Sequence, residues 1–61
     1  MDDAYCVYMA ILDKPGMNTN QIAKLFGKKY ASWVENLIKT IEENYALLSE
    51  DEKGGLYVFE G

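Results

Sequence analysis

The chain has no arginine and no histidine, and its six basic residues are all lysines: Lys14, Lys24, Lys28, Lys29, Lys39 and Lys53. Without histidine there is no imidazole to act as general base, proton shuttle or metal ligand near neutral pH. Without arginine the commonest bidentate reader of guanine and the usual minor-groove probe are both missing. Cysteine occurs once, at Cys6. That excludes an internal disulfide and fits a reducing compartment, so a cytoplasmic location is expected. No base or cation stands near Cys6 in the sequence, so it reads as a small hydrophobe rather than a reactive thiol. The longest apolar run, 4–12, is far too short to span a bilayer, and Asp2 and Asp3 precede it where a signal peptide would be basic. No membrane partner is expected. The chain opens on methionine and shows no tag-like or linker segment, so a complete small gene product is the expectation.

Catalytic constellations are missing too. There is no glycine-rich phosphate loop, no Cys–His or Ser–His pair and no metal-ligand spacing. The run Glu50, Asp51, Glu52 lacks the spacing of a calcium loop and reads as a solvated turn. No enzyme activity, cofactor or metal is expected. What remains is a chain of 61 residues, read as a single domain over 1–61. A chain this short buries only roughly 60% of its unfolded surface, so its stability is marginal unless it packs well or associates. Its hydrophobic content of 49% is spread throughout, which argues for a folded domain. The net charge is -4, so any binding to a polyanion must rest on local charge.

The apolar pattern divides the chain into five segments. The first is a helix from Asp2 or Asp3 to Asp13, with acids where a helix start favours them and Lys14-Pro15-Gly16 as its stop. Ala4, Tyr8, Ile11 and Leu12 share one face, while Tyr5, Cys6 and Met9 lie elsewhere. A helix so widely apolar is deeply buried or meets a partner, so Tyr5 and Met9 stand either in a dimer interface or under the C-terminal hairpin. The second helix starts at the N-cap Asn18, with Gln21 completing a capping box and Met17 and Ile22 placed as a hydrophobic staple. Gly27 ends it.

The third helix carries an apolar stripe at Val34, Leu37, Ile38, Ile41 and Tyr45. Its start is open between a Ser32–Glu35 capping box, with the helix beginning at Trp33, and a start one turn earlier at Lys29 or Tyr30. Trp33 reads as packing beside Val34 rather than as an interface anchor. Asn44 suits a left-handed helix end. Leu47-Leu48 and Leu56-Tyr57-Val58-Phe59 have strand propensity, and 50–55 is the turn between them. The fold class is thus mainly α with a small β-hairpin, and its centre has the grammar of a helix-turn-helix.

These residues in this order resemble a winged helix-turn-helix, the three-helix and two-stranded-wing domain of small prokaryotic and viral transcriptional regulators. The likeness is strongest from Pro15 to Gly27, with its polar cap, its Ile22-Ala23 pair and its closing glycine. The stripe Val34, Leu37, Ile41 followed by Glu42-Glu43-Asn44 resembles the family's recognition helix, and 46–59 resembles its wing.

The resemblance implies a transcriptional regulator that binds double-stranded DNA. Ser32, Asn36 and Lys39 would face the major groove, with Asn36 as the adenine reader, while Lys28, Lys29 and Tyr30 would lie at the backbone and Lys53 at the wing tip. Most helix-turn-helix proteins read two half-sites, so a homodimer through Tyr5 and Met9 is expected. The chain departs from the family pattern at Glu35, on the presumed reading face, and at Glu50, Asp51 and Glu52, which phosphates repel. The alternative is a winged-helix protein-interaction module that does not bind DNA, such as an adaptor or a small phage or viral protein engaging a host factor. The acidic wing and the apolar first helix favour it.

Overall fold

In the computed structural model, which describes residues 2–59, the order of elements is three helices and a hairpin. They are α1 (Asp3–Asp13), α2 (Thr19–Leu25), α3 (Ser32–Asn44), β1 (Leu48–Glu50) and β2 (Leu56–Val58). Local chemistry sets most of the boundaries. Asp2 caps α1, its Oδ1 accepting from the Ala4 N–H at 3.2 Å. Both halves of the α2 capping box form: Asn18 Oδ1 accepts from the Gln21 N–H at 2.8 Å, and Gln21 Oε1 accepts from the Asn18 N–H at 2.9 Å.

The far end of α2 closes in a Schellman motif. Gly27 takes φ +70°, its N–H donates to Lys24 O at 3.0 Å, and the Lys28 N–H donates to Ala23 O at 2.8 Å. A residue with a Cβ is strained in that left-handed conformation, which is why glycine stands there. The motif fixes the direction in which Lys28, Lys29 and Tyr30 leave the helix.

Two helix boundaries differ from the sequence expectation. α3 begins at Ser32, neither at Trp33 nor at Lys29 or Tyr30, and no Ser32–Glu35 capping box forms. Ala31 is already right-handed helical (φ −58°, ψ −28°), so Ser32 lies inside the first turn and cannot cap from there. The chain enters through short-range bonds instead, Trp33 N–H to Tyr30 O and Val34 N–H to Ala31 O. At the other end Asn44 does not turn left-handed, since no described non-glycine residue has positive φ. Tyr45 stops α3 at φ −125° while its ring stacks on Tyr8, with centroids 5.3 Å apart and 13° between planes.

The hairpin pairs Leu48 with Val58, Ser49 with Tyr57 and Glu50 with Leu56, antiparallel. One further bond, Phe59 N–H to Leu47 O at 2.8 Å, extends the pairing beyond the strand ends. The link between α1 and α2 runs along the other side of β2. Gly16 N–H donates to Leu56 O at 2.9 Å, and Leu56 N–H donates to Met17 O at 2.8 Å. β2 therefore lies between β1 and that link, and the layout is winged-helix-like. The free edge of β1 is covered at one point, because Glu42 Oε2 accepts the Leu48 N–H at 3.0 Å.

The core draws on all three helices and β2: Ala4, Val7 and Ile11, Ile22 and Ala23, Val34 and Ile41, and Leu56. On α1 the inward face centres on Val7, which the apolar pattern alone does not single out, and Leu12 is 42% exposed. Both α3 and β2 pack on α1, and their combined approach rotates the buried stripe to Ala4, Val7, Ile11. On α3 Leu37 and Ile38 are half-buried against the core, and Tyr45 is exposed at its margin. No helix among the described residues is long and apolar enough to cross a membrane.

The hairpin turn is held by one carboxylate. Asp51 Oδ1 accepts from the N–H groups of Gly55 at 2.8 Å and Lys53 at 2.9 Å, and Oδ2 accepts from the Tyr57 O–H at 2.9 Å. The Gly55 N–H first, and then the Tyr57 hydroxyl, hold Asp51 below the usual carboxylate range. The same hydrogen bond raises the Tyr57 phenol. A carboxyl lowered by folding stabilises the fold above its unfolded value, and that contribution is lost as pH falls through the folded value. Acidification below the ordinary carboxylate range should therefore lower the melting temperature, and Asp51→Asn should melt with a shallower acid dependence. Thermal melts followed by circular dichroism across that window decide it; parallel curves would remove Asp51 from the account.

Gly55 matters for room rather than for φ. A Cβ there would lie 2.5 Å from Gly16 O and 2.7 Å from Asp51 Oδ2. The backbone of the α1–α2 link cannot yield without losing its bonds to Leu56. Gly55→Ala should cost roughly 1–3 kcal/mol, typical of forced overpacking. Denaturant unfolding would show it as a lower midpoint, whereas an unchanged midpoint would mean that the turn is looser than described.

Candidate nucleic-acid interface

The α2–α3 corner is built by the Schellman end of α2 and the short-range entry to α3. Between them the chain passes Lys28, Lys29 and Tyr30, all exposed, with Tyr30 at 68%. Ser32, Asn36 and Lys39 follow on α3 at steps of four and three, on one exposed face. Glu35, also exposed, stands in the first turn of that helix. The sequence-predicted corner and helix residues are thus all exposed, on adjoining segments of the chain. Lys53 belongs to a different element, the hairpin turn, where Glu50, Asp51 and Glu52 precede it. That turn folds back on the α1–α2 link, so Gly55 abuts Gly16 and Gly54 lies beside Asn18.

Trp33 is half-buried against the core, as expected, and one side of its ring system is occupied. The Lys28 Nζ lies 5.2 Å from the Trp33 centroid, and the Phe26 ring packs against Trp33 at 5.6 Å. Such an exposed cation–π pair contributes roughly 0.5–1 kcal/mol, little enough for a phosphate to compete for the ammonium.

A further signal is legible in the sequence once the corner is seen. Between Asp13 and Glu35 there is no acidic residue, and four lysines, Lys14, Lys24, Lys28 and Lys29, fall in that stretch. All four are exposed. The total charge conceals this segregation, which is why Lys14 and Lys24 stand outside the set expected from the sequence. Comparison with family models, with curated proteins and with solved structures finds no match for this chain. The functional reading therefore stands on the surface itself.

The expected dimer residues have different surroundings. Tyr5 is half-buried and has partners within its own chain, the Tyr45 ring edge-on at 5.4 Å and Tyr8 at 6.3 Å. Tyr45 in turn donates its hydroxyl to Asp2 Oδ2 at 3.1 Å; desolvation by its neighbours, then this bond, push its phenol up. Met9 is 43% exposed. Cys6, the free thiol, is half-buried.

Proposed function

We propose that this protein binds double-stranded DNA through α3 and the α2–α3 corner, as a cytoplasmic transcriptional regulator of winged-helix type. The observation that carries the reading is that the acid-free, lysine-bearing stretch covers α2, the α2–α3 corner and the first residues of α3, up to Val34. Local charge of one sign supplies most non-specific affinity for a duplex, whatever the net charge of the chain. Lys24, Lys28 and Lys29 approach phosphates, and Asn36 reads adenine from the exposed face of α3. The hairpin turn, rich in acids, stays off the duplex. A second copy, docked through Met9 and the rim of Tyr5, would present a second reading helix.

A duplex selected from a random pool by the protein, titrated by fluorescence anisotropy, tests this. Asn36→Ala should lose about 1–3 kcal/mol on the selected site and little on random duplex. No binding to any duplex at low salt would end the reading. The interaction-module alternative would then take its place. One observation favours it: Leu47, Tyr57 and Phe59 are 58%, 36% and 53% exposed on the hairpin. Leu47→Ser with Phe59→Ser would abolish pull-down of a protein partner under that alternative and leave DNA binding unchanged under the first.

A further inference from the structure

The α2–α3 corner is aromatic as well as basic. Phe26, Tyr30 and Trp33 fall within eight residues, interleaved with Lys28 and Lys29. Two of the rings are fixed: Phe26 and Trp33 pack on each other and on the core. The third, Tyr30, is 68% exposed, and its hydroxyl has no hydrogen-bond partner among the described residues. A large ring left in water beside two lysines contributes little to the fold. It is the arrangement a stacked nucleobase uses, since base–aromatic stacking is sequence-tolerant and lysines can track the backbone as point charges.

The residue types point the same way. The chain lacks arginine, the side chain whose planar fork best reads guanine edges in a duplex, whereas stacking needs no donor–acceptor code. We propose that this corner binds a single-stranded polynucleotide, with one base stacked on Tyr30. Lys28 leaves the Trp33 ring for a phosphate, which frees that face for a second base, and Lys24 and Lys29 hold the flanking backbone. The acid-free stretch removes repulsion over the whole corner, and Glu35, the next acid along the chain, bounds it on α3. This site overlaps the duplex surface proposed above and does not rest on it.

Trp33 is the only tryptophan, so its emission reports on the corner directly. The full chain is titrated at two salt concentrations with short oligo-dT, with oligo-rU of equal length and with a duplex of that length. Oligo-dT should bind in a salt-dependent way and change Trp33 emission. Tyr30→Ala, an exposed position that folding tolerates, should weaken oligo-dT binding about 5-fold or more at constant salt, while Tyr30→Phe keeps the parent affinity. Equal binding of oligo-rU extends the site to RNA, and weaker binding restricts it to DNA; both support the proposal. Duplex binding without single-strand binding overturns it and leaves the duplex reading intact. Single-strand binding without duplex binding does the reverse. Equal affinity of Tyr30→Ala and parent for oligo-dT also overturns it, because the ring would then play no part.

Discussion

Ile22→Ala and Ile41→Ala will each lose about 2–5 kcal/mol of stability, as fully buried isoleucines do when a cavity is left behind. Both side chains are at 0% exposure, in the cluster where the three helices and β2 meet. A chain of this length has roughly 3–9 kcal/mol in total, so either change removes a large share of it. Leu37→Ala is the control. From the sequence it carries the same expected loss as Ile22, because both lie on inward stripes. In the fold Leu37 is only half-buried, so its loss should be clearly smaller. Urea unfolding of the three variants checks the ranking, and a Leu37→Ala loss equal to that of Ile41→Ala would mean that the centre of the core is misplaced.

The second large effect concerns charge. If a duplex binds, Lys28→Ala with Lys29→Ala should weaken binding to every sequence and flatten the dependence of log affinity on log salt by roughly 1.8, about 0.9 for each phosphate left without its lysine. Lys24→Ala should flatten it further by about 0.9. Lys53→Ala should leave the slope alone, since that lysine lies among Glu50, Asp51 and Glu52 in a turn folded back on the α1–α2 link. Anisotropy at several salt concentrations measures all three. A slope that responds to Lys53 and not to Lys28 and Lys29 would move the interface to the hairpin.

The parts of this fold that are legible in the sequence are those with a local chemical cause. Asn18 with Gln21, and Gly27, each act within a few residues, and each forms the cap expected of it; Asp2, expected only as a favourable charge at the helix start, supplies the cap of α1. The hairpin is legible from its strand propensity, but β1 runs on to Glu50, two residues past Leu48 and into the segment expected as turn, because Glu50 pairs with Leu56. What is illegible depends on distant neighbours. Val7 is the centre of the α1 face because α3 and β2 converge there. The end of α3 is set by Tyr45 meeting Tyr8 and Tyr5, partners some forty residues back, rather than by the propensity of Asn44. The pairing of Gly16 and Met17 with Leu56 has no sequence signature at all. For the candidate site, exposure of Ser32, Asn36 and Lys39 follows from helical period, whereas the pairing of Lys28 with Trp33 needs the geometry of the corner.

The bond from the Leu48 N–H to Glu42 has a consequence for what this small molecule avoids. β1 is an edge strand, and the Leu48 N–H points away from β2. An unguarded donor there, beside the exposed Leu47 and Phe59, would invite the strand of another molecule to add itself and continue the sheet. With the Glu42 carboxylate already seated on it, an incoming strand must displace a bound charge before it gains its first hydrogen bond. A single side chain from α3 thus acts as a gatekeeper against runaway sheet growth, at the place where so short a chain has least mass to spare for covering its own edge.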